Sequence, residues 1–252
     1  MINMRYCYLL FCLLLVVLSC KEKKTDSPGE ELIGKAIEVA GGDLHENARI
    51  KFLFRGRLYE SQRNEGNYSL TRQFEDSLGL VRDELSNQGF KRFRNGKAIA
   101  LPDSLASAYS ESVNSVHYFV QLPYGLQGKA VIKELVGQDS IEGKPYYEIR
   151  VSFMKEGGGE DHEDIYMYWV NQDSLTVDFL AYRFYVNNGG IRFRKAVNPR
   201  YINGIRFVDY ENYRPRDLGT PLVELDELYE KDSLIKVSQI ENRILEVEIQ
   251  EE

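Results

Sequence analysis

Apolar residues run unbroken from Tyr6 to Leu18, with Arg5 before them and Lys21-Glu22-Lys23-Lys24 soon after. Such a run fits the ~7–15 residues of a signal-peptide core and falls short of the ~20 that span a bilayer. Residues 21–29 are polar and end in Pro28-Gly29, which predicts a flexible tether over 20–29. The period then becomes helical. Leu32, Ile33, Ala36, Ile37 and Ala40 share one face, so a helix is expected over Glu30–Ala40. Glu30 and Glu31 suit its positive end, and Gly41-Gly42 stops it.

Alternation follows. Ile50, Phe52, Phe54 and Leu58 form one apolar series, and Tyr68, Leu70 and Phe74 another, broken by Arg72. Leu78–Leu85 is a weaker strand. Asn95-Gly96 marks a hairpin between Phe90–Arg94 and Lys97–Leu101. A second helix is expected from Asp103 to Gln121, with Leu105, Tyr109, Val113, Val116 and Val120 on one side and a Ser- and Asn-rich opposite side. Beyond it the chain reads as almost wholly β. Lys129–Val136 and Tyr146–Met154 flank a turn at Glu142-Gly143, and Asn187–Gly190 and Asn203-Gly204 mark further turns. Leu222–Tyr229 reads as a strand; Lys236–Ile240 reads as another, and the residues after it as strand or short helix. The fold class is therefore mainly β (α+β): a curved antiparallel sheet or half-barrel of about ten strands, two helices covering its open side. Residues 30–252 form one domain in this reading.

The apolar run ends at Leu18-Ser19-Cys20, which resembles the lipobox of bacterial lipoproteins. The resemblance implies removal of residues 1–19 as a signal peptide and acylation of Cys20, with palmitate among the acyl chains. The alternatives are an uncleaved anchor or a secretory peptide cut elsewhere. Each buried CH₂ contributes about 0.8 kcal/mol, so several chains hold a protein firmly at a membrane where one holds weakly. The other cysteines, Cys7 and Cys12, lie in the removed segment, which leaves no disulfide and no Cys metal site.

Net charge is −7 with no basic run, so nucleic-acid binding is excluded as a function class. Seventeen Tyr and twelve Phe stand against one Trp, a bias that suits strands and a cavity wall with polar tips.

Catalytic signatures are absent: no Gly-x-Ser-x-Gly, no His-Glu-x-x-His, no P-loop and no cofactor motif. His162, among Glu160, Asp161, Glu163 and Asp164, reads as a solvated acidic loop. With Asp164 and a distant His45 or His117 it is also a weak metal candidate, and hence the basis of a metal-assisted hydrolase. His117 reads as a hydrogen-bonded packing residue on the second helix, and His45 as part of a loop or cap. Arg183, Arg192, Arg194, Lys195, Arg200 and Arg206 gather several cations that a hairpin brings onto one face.

Ile37–Gly42 with His45, Val116–Leu126 (VHYFVQLPYGL), His162–Val170 (HEDIYMYWV) and Arg192–Arg206 (RFRKAVNPRYINGIR) resemble uncharacterised bacterial lipoproteins classed as a domain of unknown function. The order of elements resembles the LolA/LolB-type lipoprotein-carrier fold. That resemblance implies a half-barrel whose apolar cavity shelters a lipid or acyl chain without chemistry, in a protein held by its N-terminal lipid at the outer membrane, facing the periplasm. Alternation offers Phe52, Phe54, Tyr147, Ile149, Val151, Phe153, Ile165, Met167, Trp169, Val177 and Phe179 as wall residues. The competing reading is a structural module that holds an envelope protein partner without any ligand. Intact mass measurement of the natively expressed protein is expected to show a chain beginning at Cys20 and carrying acyl mass. Retention of residues 1–19 with no acyl mass at Cys20 overturns the lipobox reading.

Overall fold

A computed structural model describes residues 26–156, 164–185 and 189–250. Cys20, the signal segment and His162 lie outside the described residues. Fourteen strands form two antiparallel sheets of seven. The first sheet meanders through β1 (Ala48–Phe54), β2 (Arg57–Asn64), β3 (Asn67–Asp76), β4 (Gly79–Ser86), β5 (Gly89–Arg94) and β6 (Lys97–Ile99), and takes β14 (Arg243–Ile249) beside β1. The second runs through β7 (Val131–Ile141), β8 (Lys144–Phe153), β9 (Ile165–Asn171), β10 (Val177–Phe184), β11 (Gly190–Ile202), β12 (Ile205–Arg214) and β13 (Ile235–Ile240). The helices are α1 (Pro28–Val39), α2 (Asp103–Val120) and α3 (Leu225–Glu230).

The architecture is mainly β, as expected, but the expectation of about ten strands in one sheet is corrected to fourteen in two. Three segments differ locally from the expectation. The apolar series from Ile50 to Leu58 is a hairpin, β1 and β2, turned at Arg55-Gly56 with φ of 48° and 73°. Arg243–Ile249 is a strand because it pairs with β1 through nearly its whole length, Ala48 opposite Ile249. Leu222–Tyr229 is not a strand: it forms a 3₁₀ turn at Leu222–Glu224 and then α3. The Asn95-Gly96 hairpin holds, with both residues left-handed (φ 48° and 77°) as a tight two-residue turn demands. Helix α1 begins two residues earlier than expected. Ser27 accepts from the Glu30 amide while Glu30 reaches back to the Ser27 amide, and Pro28 opens the helix. The cap and first turn thus come from the segment assigned to the tether.

The two sheets differ in how they are covered. The first is buried on one face only; outside, Arg49 meets Glu60 and Glu248 in a solvated ladder. The second is buried on both faces. Inside, α1 and α2 cover Ile149, Val151, Tyr168, Val170, Leu180 and Val208. Outside, the Leu222–Glu230 segment covers Met167, Trp169, Phe179, Ile191 and Phe193. Ile50, Phe52, Val120, Ile205 and Phe207 join the sheets in a third cluster. The chain crosses from β13 to β14 at Asn242, whose backbone amide donates to Asp209 (2.9 Å) and whose side chain donates to the Val208 carbonyl (2.8 Å).

Helix α2 lies between the sheets. On the first-sheet side it meets a buried ionic group. Arg72, Asp83 and Arg92 stand directly opposite one another on β3, β4 and β5. Asp83 is fully buried and accepts from Arg72 (2.6 and 2.9 Å) and Arg92 (2.5 and 2.9 Å). Arg72 also donates to Ser112 of α2 (2.8 Å), and Arg92 lies 3.6 Å from the Tyr109 ring centroid. Removing one partner from a buried ion group leaves an uncompensated charge, at a cost of about 3–5 kcal/mol. Asp83→Ala is therefore expected to lower the unfolding free energy by about that much in chemical denaturation. Arg82→Ala, at a solvated pair with Glu84, is expected to cost about 0–1 kcal/mol.

Candidate functional site

The sequence of α2 fixes the shape of the interior. Val113, His117 and Val120 are buried, but Ala106, Ser107, Ala108, Ser110, Ser112, Asn114 and Ser115 are small and leave space beside the helix. The Ser- and Asn-rich side faces cavity space between the sheets. Two clefts result, one of about 750 Å³ and one of about 1080 Å³, and both are lined by Glu111, Ser115, Phe119 and Tyr166.

The smaller cleft is walled by rings and guanidinium groups. Phe54, Phe119, Tyr182, Phe184 and Tyr210 line it together with Arg55, Arg192 and Arg194. Arg194 lies 4.1 Å from the Phe119 centroid, 5.1 Å from Tyr182 and 5.8 Å from Tyr210, and donates to the Tyr182 hydroxyl (2.8 Å). Its Nε is buried without a partner. Cation–ring contacts of this kind contribute about 2 kcal/mol when desolvated. Burial raises the Tyr210 hydroxyl to about 12, so it stays protonated at neutral pH. The larger cleft is bounded by Arg63, Asn114, Gln121, Tyr124 and Lys129 beside Leu70, Phe90 and Phe153.

The structure distributes the predicted wall residues over four surroundings. Phe54 lines the smaller cleft and Phe153 the larger. Tyr147, Ile149, Val151 and Val177 belong to the inner cluster beneath α1 and α2, and Phe52 to the cluster joining the sheets. Met167, Trp169 and Phe179 pack on the opposite face of the second sheet, and Ile165 is on the same side of β9, exposed. Cleft residues Tyr166, Tyr182 and Phe184 escaped the reading because β9 and β10 are apolar on both faces, so alternation does not tell inside from outside. Phe119 and Arg194 were within the quoted motifs, and their position on α2 and β11 was the available signal.

The cationic group divides likewise. Alternation on β11 sends Arg192 and Arg194 inward, while Lys195 turns outward to Glu142 and the Tyr229 hydroxyl. Arg183 donates to the Leu218 and Thr220 carbonyls, Arg200 pairs with Asp209 and Arg206 with Asp178. The six do not share one face.

Both described histidines are packing residues. His117 Nε2 lies 3.0 Å from the Thr71 carbonyl, and burial lowers its pKa to about 3. His45 sits in a 3₁₀ turn (Gly42–Asn47) and stacks on Tyr124 at 4.6 Å; burial and then the Arg63 charge lower it to about 4. Asp164 is buried and lines the smaller cleft.

Across the second sheet from the clefts lies an acidic group that the sequence did not disclose. Asp139, Glu148 and Asp226 bring carboxylate oxygens within 4.8 Å of one another. They come from β7, β8 and α3, so no local spacing joins them. Trp169 Nε1 donates to Asp226 (3.0 Å). Burial, and then the Asp226 charge, raise Glu148 to about 7; burial also raises Asp226.

The chain belongs to a family of unknown function, DUF6503, which residues 4–242 match. No curated protein matches the sequence. Among solved structures, a LolA superfamily protein from Nitrosomonas europaea is 12% identical, with a TM-score of 0.51 over 90% of this chain and 95% of that one. A DUF1329 family protein from Desulfovibrio piger is 14% identical, with a TM-score of 0.48 over 75% and 86%. The fold is LolA-like, as the element order implied, and the two sheets do not close into a barrel.

A carboxyl group raised in the folded state binds its proton more tightly there, so its contribution to stability is present below the unfolded pKa and lost as pH rises through the folded one. Glu148 therefore destabilises the protein as pH climbs from about 4.5 to about 7. His45 and His117 act with the opposite sign below about 6.5. The difference between wild type and Glu148→Gln isolates the carboxyl group. The variant is expected to gain stability over wild type as pH rises through that window, followed by thermal melting at several pH values.

Proposed function

We propose that this protein is a lipid-anchored protein of the cell envelope that holds a hydrophobic ligand between its sheets and performs no chemistry on it. The observation that carries the reading is the pair of clefts of about 750 and 1080 Å³ that small residues of α2 leave open in an otherwise packed interior. A cavity of this size, with aromatic walls and polar groups among them, is what small-molecule sites have in common. The smaller cleft fits it best, since six aromatic side chains border it. The LolA-like fold supports the reading by analogy of architecture. Cys20, through acyl chains, supplies the attachment to the outer membrane in this proposal. Among the described residues no helix is long and apolar enough to cross a membrane.

Of the predicted wall residues, Phe54 and Phe153 are proposed as direct ligand contacts, and Tyr147, Ile149, Val151 and Val177 as the packed layer that supports the cavity. Lipid or acyl-chain binding is expected as co-purified mass in native mass spectrometry after gentle extraction, and as uptake of a fluorescent fatty acid. Ser115 lines both clefts, so Ser115→Trp is expected to weaken uptake about tenfold or more while the melting temperature stays near wild type. A protein that emerges without lipid and ignores the fluorescent probe overturns the proposal.

A further inference from the structure

We propose that Ser77, Ser104, Ser174 and Ser233 are acceptors for O-linked sugars, attached by one enzyme that reads the tripeptide Asp-Ser-Leu in which each of them stands. None of the four lines either cleft, so this is independent of the ligand-binding reading above.

Repetition is the first observation. With fourteen aspartates and sixteen serines, a chain of this length holds about one Asp-Ser step by chance; this one holds six. Asp26-Ser27 is followed by Pro28 and has a structural use, since Ser27 caps α1. The other five continue as Asp76-Ser77-Leu78, Asp103-Ser104-Leu105, Asp139-Ser140-Ile141, Asp173-Ser174-Leu175 and Asp232-Ser233-Leu234. Exposure is the second observation. In all five the aspartate and the serine are exposed. Leu78 and Leu105 are 68% and 44% exposed, and Leu175 and Leu234 are half-buried, but Ile141 is fully buried in the outer cluster. Ser140 is thus the one serine whose apolar neighbour is out of an enzyme's reach, and it serves as an internal control.

Local structure does not explain the shared signature. Ser77 lies in the β3–β4 turn, Ser104 in the first turn of α2, Ser174 between β9 and β10, and Ser233 between α3 and β13. The backbones differ: Asp103 and Ser104 are helical, and Leu175 and Asp232 are left-handed (φ 57° and 51°). Turns draw on Asp and Ser, but they do not select leucine, least of all at positive φ. What the four share is an acid, a hydroxyl and an apolar side chain that one enzyme can meet together at the surface. In the transfer, Ser Oγ bonds to the anomeric carbon of a diphosphate-activated sugar. The bond from that carbon to the diphosphate breaks, the diphosphate leaves with the electron pair, and the Oγ proton passes to a base of the enzyme. A phosphoryl group fits these sites less well, because each adds about −1.5 to −2 of charge beside an aspartate in a chain already at −7. A sugar adds bulk and polarity without charge, which suits an open surface.

Peptide mass spectrometry of the full chain, purified from the cells that naturally make it and fragmented by electron transfer so that sugars stay attached, tests this. Sugar mass is expected on Ser77, Ser104, Ser174 and Ser233. It is expected to be absent from Ser140, and from Ser112 and Ser115, which are exposed but lack the tripeptide. In the same cells, Asp103→Asn is expected to lose the sugar at Ser104 alone, and Leu78→Gln the sugar at Ser77 alone. Asp103 and Leu78 are exposed, so the melting temperature of each variant is expected to stay near wild type. Sugar on fewer than three of the four serines overturns the proposal. Sugar on Ser112 and Ser115 to the same extent overturns recognition of the tripeptide, and a phosphoryl group in place of the sugar overturns glycosylation. A sugar at Ser104 that survives Asp103→Asn overturns the role of the aspartate, and one at Ser77 that survives Leu78→Gln overturns the role of the leucine. Ser140 carrying as much sugar as Ser77 overturns the requirement for a reachable apolar neighbour.

Discussion

Helix α2 has to satisfy two unlike surfaces at once, and the shape of the interior follows from how it does so. Toward the first sheet it meets charge: Ser112 accepts from Arg72, Tyr109 covers Arg92, and both arginines converge on Asp83. Toward the second sheet it meets rings: Tyr118 shares a 2.8 Å hydrogen bond with Tyr168, and Phe119 packs 5.2 Å from Tyr182. Contacts of both kinds are directional, so they fix the helix in place even though much of its surface is Ala and Ser. An apolar helix in the same position fills the space by packing. This one is held by a few specific contacts, and the gaps between them are the clefts.

Buried charge is used on both sides of the second sheet, with opposite sign. Inside, guanidinium groups stand over aromatic faces in a cleft that Asp164 and Glu111 also line. Outside, Glu148 and Asp226 stand together without a cation. The sheet between them is apolar through its thickness, with Trp169, Phe179 and Phe193 on one face and Tyr168, Leu180 and Tyr182 on the other. The apolar layer keeps the two groups apart.

Much of the architecture was legible from the sequence. The two long helices, the Asn95-Gly96 hairpin and the inner face of β8 (Tyr147, Ile149, Val151, Phe153) follow from local period and turn chemistry. What escaped depended on contacts between distant segments. Arg243–Ile249 has no decisive period of its own and becomes a strand because β1 offers an edge. Leu222–Tyr229 is apolar enough to read as a strand, yet Leu222, Leu225 and Tyr229 follow a helical spacing and the segment caps the outer cluster as a helix. In β9 the sequence Ile165-Tyr166-Met167-Tyr168-Trp169 is apolar at every position, and only the placement of α2 decides which rings face a cavity. Arg72, which interrupts an alternating series, was a visible signal; its cause, Asp83 opposite and Arg92 beyond, required the pairing register.

The short crossing at Asn242 has a temporal consequence. β13 and β14 are adjacent in the chain, yet one borders each sheet, and Ala48 waits for Ile249 before β1 has both neighbours. Contacts over so long a separation form slowly. A nascent chain therefore lacks β13 at the edge of the second sheet and β14 beside β1 until these two late strands have been made. Until then β1 is an open edge, its hydrogen-bonding groups unpaired on the side that β14 later covers.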